Sequence, residues 1–295
     1  MYITKIDSVR YLVGGLNLLL LLIFFVSLII LIFPDLFLPI YIFGAVYGIF
    51  SIDEGRDYGA AGNFFQMYFV TSSMLVFSVA YYFDRVMKRK IKFDMNIIFL
   101  ILSLIGLFLA GSRNNMLAAV ILPFLLFFLY TDKKILLLST GVFFLVLFIF
   151  IFSDQLLGFL DPKEASNFTK LLTYNDYILL FSENLYTFFF GEGLGASREW
   201  TGRGNNFVTE LTYFEIIRSY GLILGFFVML IMFFPIVYAF FLKPNFPEKH
   251  LIIAYFVYLI MSFSNPLFFS SMGMLLLSVI MTLIYTDQQA NSKEV

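Results

Sequence analysis

The chain has 295 residues, of which 61% are hydrophobic and only 13% charged, and its formal net charge is −1 at pH 7. A soluble domain is about a quarter charged, so this composition predicts an integral membrane protein whose surface faces lipid. It contains no cysteine and a single histidine, His250, which excludes disulfides, Cys-ligated metals and multi-histidine sites. The charge balance gives no support for a nucleic-acid partner, and we expect neither a metal nor another cofactor.

Apolar runs of about 20 residues, long enough to cross a bilayer, recur along the chain. They predict an all-α, polytopic membrane helical bundle, because backbone polar groups in lipid must be satisfied internally. About eight spans are predicted, at 11–33, 64–83, 96–110, 115–130, 135–152, 211–242, 251–264 and 267–285. The stretch 34–50 carries prolines and glycines and suits a re-entrant or interfacial piece; if it crosses, there are nine spans. No linker divides the chain, so we predict a single transmembrane domain over 1–295.

Lysine and arginine placement indicates orientation, because cytoplasmic loops carry more of these cations. One loop contains Arg85, Lys88, Arg89, Lys90 and Lys92, so we place it in the cytoplasm. With eight spans both termini are then cytoplasmic; with nine spans the N-terminus lies outside. The largest extracytoplasmic loop is then 153–210. Its apolar residues recur at near-helical spacing, which predicts an amphipathic helix in the membrane interface: Phe168, Leu171, Leu172, Ile178, Phe181, Leu185 and Phe188.

The cations on the predicted outer side are mostly arginine, whereas those inside are mostly lysine. The outer set is Arg56, Arg113, Lys163, Lys170, Arg198, Arg203 and Arg218. A guanidinium group binds phosphate oxygens bidentately and stays charged when partly buried. This bias indicates an anionic, phosphate-bearing ligand on the outer side.

Two of these arginines lie next to predicted spans. Arg113 follows Gly111-Ser112 between two apolar runs, where an arginine either marks a functional site or snorkels and caps the preceding helix. Arg56 is surrounded by acidic residues, so a local surface ion pair is the alternative to ligand binding.

The segment Gly191-Glu192-Gly193-Leu194-Gly195 predicts a flexible turn after the amphipathic helix. Arg198 and Arg203 follow it and could reach a pyrophosphate at the membrane surface. The alternative for both is a solvated loop.

The long span 211–242 begins with candidate polar residues. Glu215 and Arg218 are three residues apart and are predicted to pair on one helix face. Glu210 has no such partner in its own helix and is the better candidate for a general base. Gly221 and Gly225 predict close packing against a neighbouring helix. His250 is predicted to be a solvated surface residue.

Four stretches in a fixed order resemble a known family. They are Arg56-x-x-Gly59 with Gly62-Asn63, then Leu109-Ala110-Gly111-Ser112-Arg113, then Gly191-Glu192-Gly193-Leu194-Gly195, and last Thr209-Glu210 through Tyr220-Gly221-Leu222-Ile223-Leu224-Gly225. Together with Ser264-Asn265-Pro266 they resemble the O-antigen polymerase/O-antigen ligase family (Wzy-type) of bacterial polysaccharide assembly. The chain resembles a short member, because the family has several more spans. The ligase branch carries a histidine near the place of Asn205-Asn206, and its absence favours a polymerase.

The resemblance implies polymerisation of polyprenyl diphosphate-linked oligosaccharide units into a surface polysaccharide (O-antigen, capsule or exopolysaccharide). The reaction would occur at the outer face of the bacterial cytoplasmic (inner) membrane. Cations would stabilise the leaving diphosphate, and a carboxylate would act as base: Arg113 and Glu210 as catalytic residues, and Arg56, Arg198, Arg203 and Lys170 as substrate-binding residues. The partners implied are the lipid-linked oligosaccharide, membrane lipid, and a chain-length regulator and flippase of the same pathway.

Three other functions stay open on the sequence. The same cations could bind a headgroup without chemistry in a transporter or flippase of lipid-linked sugars. The chain could be an O-antigen ligase, or a non-catalytic truncated membrane subunit.

Overall fold

The computed structural model describes residues 5–36, 38–40, 42, 50–57, 63–69, 71–89, 94–110, 112–131, 165–202, 204–207 and 209–292. In these ranges the chain is all-α apart from two short antiparallel hairpins. The predicted span 135–152 and most of the stretch 34–50 lie outside them.

The described helices, numbered in chain order, are α1 Lys5–Ile32, α2 Leu75–Lys88, α3 Met95–Leu109, α4 Arg113–Tyr130, α5 Ala165–Glu183, α6 Leu185–Phe190, α7 Thr212–Val237, α8 Lys249–Met261 and α9 Ser271–Ser292. A π-helical turn, Tyr238–Leu242, extends α7. The strands are β1 Phe50–Asp57, β2 Asn63–Phe69, β3 Arg198–Trp200 and β4 Gly204–Asn206.

Among the described residues, three helices are long and apolar enough to cross a membrane. They are Ser8–Ile30, Thr212–Leu242 and Ser271–Gln289, with 23, 31 and 19 residues. Their length and composition support a membrane protein. Met95–Leu109, Asn114–Tyr130 and Lys249–Met261 are shorter apolar helices. They coincide with predicted spans, and the number of crossings remains a prediction.

The predicted helical span 64–83 is wrong in its first part. Asn63–Phe69 forms strand β2, paired with β1, and the helix begins only at Leu75. A continuous apolar and aromatic run is compatible with either a strand or a buried helix, so hydropathy alone did not separate them.

The chain forms two compact units. Unit 1 contains Met1–Phe152, Pro247–Tyr258 and Tyr285–Val295, and unit 2 contains Ser153–Phe246 and Leu259–Ile284.

In unit 1, helix α2 packs against α1, α3 and α4. Its apolar residues are almost wholly buried, and polar side chains link it to its neighbours. The Ser78 hydroxyl of α2 is hydrogen-bonded to the Ser103 hydroxyl of α3 at 2.9 Å. The Asn17 amide of α1 donates to the Tyr82 hydroxyl of α2 at 2.7 Å. Such bonds join helices where apolar burial adds little to their association in lipid.

In unit 2, helix α7 is broken at Gly221, whose φ of 73° and ψ of 169° are not helical. The segment 212–220 is held at its start by two hydrogen bonds. The Thr212 hydroxyl donates to the Asn265 carbonyl at 2.9 Å, and the Tyr213 hydroxyl donates to the Leu259 carbonyl at 3.0 Å. The following segment, 222–242, is long enough by itself to cross the hydrocarbon core of a bilayer.

Candidate functional site

The predicted amphipathic helix exists as α5, and an aromatic core packs on one of its faces. Tyr177 of α5 and Trp200 of β3 are buried, with ring centroids 4.6 Å apart. Leu211 is buried with them, and Phe181 and Phe214 pack against the group. Residues 177 and 181 are one turn apart, so the same face of α5 carries both. This core fixes the β3–β4 hairpin on the helix.

A second contact holds the turn of the hairpin. The Asp176 carboxylate accepts hydrogen bonds from the Thr201 amide at 2.7 Å and from its hydroxyl at 2.9 Å. Gly202 has a φ of 83°, and a Cβ there would lie 3.2 Å from the Leu172 Cδ1 atom. The sequence predicts a turn and a solvated loop here, so the hairpin was not predicted.

Arg218 lies at the centre of a buried ionic cluster, which we define as Arg218, Glu215 and Glu192. The guanidinium donates to Glu215 through Nε at 3.2 Å and through Nη2 at 2.5 Å. Its Nη1 donates to Glu192 at 2.9 Å and to the Ala196 carbonyl at 3.1 Å, and Nη2 also donates to the Phe207 carbonyl at 2.8 Å. An arginine has five N–H donors, and these bonds use all of them. The predicted Glu215–Arg218 pair is therefore confirmed. Arg218 has a structural role, because it has no N–H donor left for a ligand.

Tyr177 extends the ionic cluster into the aromatic core. Its hydroxyl donates to Glu215 Oε2 at 2.6 Å and is 2.6 Å from the Thr209 hydroxyl. Burial, together with the neighbouring Glu215 carboxylate, raises the pKa of Tyr177 far above its ordinary value of 10.0. The phenol therefore stays protonated, and its O–H bond partly satisfies the buried carboxylate.

The glycine turn, Gly191 to Gly195, hydrogen-bonds to the backbone at the break in α7. The amides of Glu192 and Gly193 donate to the carbonyls of Arg218 and Ser219 at 2.7 and 3.1 Å. The break would otherwise leave these helix-end carbonyls without partners. Gly191 and Gly221 both have positive φ, and a Cβ on Gly191 would lie 2.6 Å from the Gly221 nitrogen. The predicted close packing at Gly221 is thus against the glycine turn and the end of α6.

Two predicted substrate-binding cations lie at the edge of this region in half-exposed ion pairs. Lys170 Nζ is 3.4 Å from Glu210 Oε2, with the side chains 28% and 31% exposed. Arg198 Nη1 is 3.2 Å from Glu192 Oε1, and the Arg198 side chain is 35% exposed. Exposed pairs of this kind are worth about 0–1 kcal/mol. An anionic ligand could therefore displace the carboxylate from either cation at little cost.

Among the predicted site residues that the structure describes, Lys170, Arg198 and Glu210 belong to unit 2, whereas Arg113 and Arg56 do not. Arg113 is the first residue of α4, and Arg56 pairs through its backbone with Phe64 of β2; both belong to unit 1, and their side chains are outside the described part of the structure. Arg203 lies outside the described residues.

The prediction of a solvated His250 is wrong. His250 is 3% exposed, its Nδ1 is 3.4 Å from Asp84 Oδ1, and its Nε2 is 3.7 Å from Glu248 Oε2. Asp84 is itself buried, accepts a hydrogen bond from the Tyr130 hydroxyl and pairs with Lys88 Nζ at 2.9 Å. The histidine is buried because α2 presents this carboxylate to the start of α8, a contact between distant parts of the sequence.

Within the described ranges, no group of three His, Cys, Asp or Glu side chains could hold a metal ion. Neither Glu192, a member of the ionic cluster, nor Tyr177, which donates to it, was predicted from the sequence. Glu192 between glycines offered a signal, because a glycine turn does not by itself require an acidic residue. Tyr177 offered none beyond its place on the apolar face of α5.

No family model matches this chain, and neither does a curated protein or a solved structure.

Proposed function

We propose that the protein polymerises lipid-linked oligosaccharide units, joining a glycan carried on polyprenyl diphosphate to the next unit. The observation that carries the proposal is the half-exposed Lys170–Glu210 pair at 3.4 Å. It combines a cation that can meet a diphosphate with a carboxylate that can accept a proton. Helix α5 and the residues just before α7 hold the two groups.

In the proposed step, an acceptor hydroxyl oxygen attacks the anomeric carbon of the donor sugar. The bond between that carbon and the diphosphate oxygen breaks, and polyprenyl diphosphate leaves with the electron pair. Lys170 and Arg198 stabilise the charge that develops on the leaving group. Glu210 takes the proton of the attacking hydroxyl.

Substrate binding itself would prepare the base in this scheme. When the diphosphate pairs with Lys170, the Glu210 carboxylate no longer faces that ammonium group and can turn to the acceptor hydroxyl. Arg218 takes no direct part, since its donors are all used within the ionic cluster.

The surroundings of Lys170 suit a lipid-linked substrate. Phe168 and Leu171 beside it are 51% and 46% exposed, and Leu185 and Tyr186 of α6 are 63% and 70% exposed. Exposed apolar side chains flanking a cation are typical of a helix in the membrane interface. We place this surface at the outer face of a bacterial cytoplasmic membrane, in a protein of eight spans acting with a flippase and a chain-length regulator.

The test uses purified protein in lipid nanodiscs with a fluorescent polyprenyl diphosphate oligosaccharide, and the product lengths are read on a gel. We expect the unchanged protein to give a ladder of products. Glu210→Gln should slow extension at least about 100-fold, the range attributed to general base catalysis. Arg113, to which the resemblance gives a catalytic role, is tested separately: Arg113→Ala should abolish the ladder without removing the protein from the membrane.

The control is Arg89→Gln, which, like Glu210→Gln, removes one charge from an ion pair near the surface; Arg89 lies 2.8 Å from Asp94. It should leave the ladder unchanged. Full extension by Glu210→Gln would show that Glu210 is not the base, and failure of the unchanged protein to extend any unit would disprove the polymerase.

The broken helix α7 favours a transporter of lipid-linked sugars as the second candidate, because discontinuous spans are common at transporter binding sites. In such sites the unwound carbonyls coordinate ions, whereas Arg218 and Ser219 give theirs to the glycine turn. The nanodisc assay separates the two candidates if lipid movement is also followed: movement without extension identifies the transporter.

A further inference from the structure

Unit 1 contains two adjoining cavities that involve α1 and α2. The first, which we call the basic cavity, has a volume of about 500 Å³ and extends to the start of α8. The second has a volume of about 710 Å³ and lies along α1. Arg10, Tyr81 and Arg85 line both cavities.

The buried acid of the basic cavity is already neutralised. Asp84 pairs with Lys88 at 2.9 Å, lies 3.4 Å from His250 and accepts a hydrogen bond from Tyr130. The other lining acid, Glu248, lies 3.7 Å from the second nitrogen of His250. The carboxylates of the basic cavity therefore face groups other than its two arginines.

In the part of the chain that the structure describes, neither Arg10 nor Arg85 has a carboxylate partner. Both are exposed. The guanidinium carbon of Arg85 is 4.2 Å from the centroid of the Tyr81 ring, a cation–π contact that restricts its position. Two such arginines on one cavity wall form a site for an anion with several oxygens, such as a phosphate group.

The second cavity has an apolar stretch of wall next to the two arginines, and Asn17 and Tyr82 also line it. Val13, Gly14, Gly15 and Leu18 line it from α1. A Cβ atom at Gly14 or Gly15 would meet nothing within 4 Å, so the surface of α1 is open at this point. A cationic recess continuous with an apolar one matches an amphiphile better than a free ion.

We propose that Arg10 and Arg85 bind the phosphate of an anionic phospholipid headgroup, with the beginning of its acyl chains in the second cavity. The predicted topology places both arginines at the cytoplasmic leaflet. This site is separate from the Lys170–Glu210 pair and does not depend on the polymerase proposal.

The experiment measures binding of fluorescent phosphatidylglycerol to the full-length protein in detergent, with phosphatidylcholine and inorganic phosphate as competitors. Arg10→Gln and Arg85→Gln should each weaken phosphatidylglycerol binding about tenfold, as expected for the loss of a charge-assisted hydrogen bond. Phosphatidylcholine, which has no net charge, should compete at least about tenfold less well, since it lacks the electrostatic attraction of an anionic lipid.

Two control variants are used. One distinguishes binding at the site from attraction by the whole basic surface, and the other distinguishes a lipid from free phosphate. Arg89→Gln removes a cation from the same basic loop but outside the cavities, and it should leave the affinity unchanged. Gly15→Leu fills the open wall of α1 without changing charge. It should weaken the binding of phosphatidylglycerol but not that of inorganic phosphate.

Equal weakening by Arg89→Gln and Arg10→Gln would overturn the site, because it would show attraction by the basic surface as a whole. The lipid assignment would be overturned if inorganic phosphate competed as well as phosphatidylglycerol and Gly15→Leu had no effect. The ligand would then be a soluble phosphate compound. Sensitivity of phosphatidylglycerol binding to both arginines and to Gly15→Leu would support the proposal.

Discussion

The two units use arginine in opposite ways. In unit 2, Arg218 is fully buried and donates all its hydrogen bonds to the protein. In unit 1, Arg10 and Arg85 are exposed, line cavities and have no carboxylate partner among the described residues. A buried arginine with saturated donors organises structure, whereas an exposed one without an acid is available to a ligand.

The contrast is not visible in the sequence. Arg218 and Arg85 each lie in a helix, close to the predicted end of a membrane span, and each has an acidic residue nearby in the chain. The difference lies in the hydrogen-bond acceptors that other segments provide. Glu192 and two backbone carbonyl groups accept from Arg218. Asp84, the chain neighbour of Arg85, pairs with Lys88 instead.

The largest effect is expected from removing the buried arginine. Arg218→Met leaves the buried Glu215 carboxylate without its cation, whereas Glu192 keeps Arg198 as a partner. The uncompensated buried charge should lower the free energy of unfolding by about 3–5 kcal/mol. Fluorescence of Trp200, the single tryptophan, reports unfolding of unit 2 during a denaturant titration. Arg85→Met is the control and should change stability little. Similar losses in both variants would remove the distinction between the two arginines.

The glycine turn that supports the ionic cluster is the next target. Gly191→Ala forces a side chain against the Gly221 backbone at a positive φ of 81°, so we expect a loss of at least about 3 kcal/mol. Gly193 has a φ of 93° but open space around it, so Gly193→Ala should cost about 1 kcal/mol. Unfolding midpoints of the two variants give the comparison. Equal costs would mean that the close approach contributes nothing.

Tyr177 should make unit 2 sensitive to alkaline pH. Its pKa is raised in the folded protein, so above about pH 10 the unfolded chain loses a proton that the native state keeps. Stability is present below that pH and then falls by about 1.4 kcal/mol per pH unit for this group. Denaturant midpoints are measured between about pH 9 and 11, on either side of the ordinary tyrosine pKa. With rising pH the midpoint should fall less steeply in Tyr177→Phe than in the unchanged protein. The same slope in Tyr177→Phe and the unchanged protein would contradict this origin; Tyr186→Phe, at an exposed position, is the control.

The smallest effects on stability are expected at the two exposed ion pairs. Lys170→Gln and Arg198→Gln should each change the free energy of unfolding by no more than about 1 kcal/mol, because exposed pairs contribute little. The same variants should weaken extension of lipid-linked units. A large loss of stability in either variant would place that cation with Arg218 as a structural residue.

Much of the helical structure could be predicted because it depends on local apolar runs. Helices α1, α3, α4, α7 and α8 lie within a few residues of predicted spans. Helix α5 followed from spacing on one face, and the Glu215–Arg218 pair from a separation of three residues. Each of these depends on residues close together in the chain.

The features that sequence reasoning missed depend on distant residues. The β1–β2 pairing replaced part of a predicted helix, and the Glu215–Arg218 pair has further partners, Glu192 and Tyr177, from outside α7. His250 looked like a loop residue beside charges, yet Asp84 from α2 makes its burial favourable. A single sequence gives no measure of such long-range partners.

The junction between the glycine turn and the break in α7 has a consequence for biosynthesis. The ribosome makes the turn before it makes the carbonyl groups that the turn will bind. The amides of Glu192 and Gly193 must therefore stay hydrated until Arg218 and Ser219 have been synthesised and delivered to the membrane. A chain ending before Arg218 would contain every residue of the turn and neither of these partners. The segment from α5 to the break should thus become protease-resistant in one late step, when the following span has been inserted.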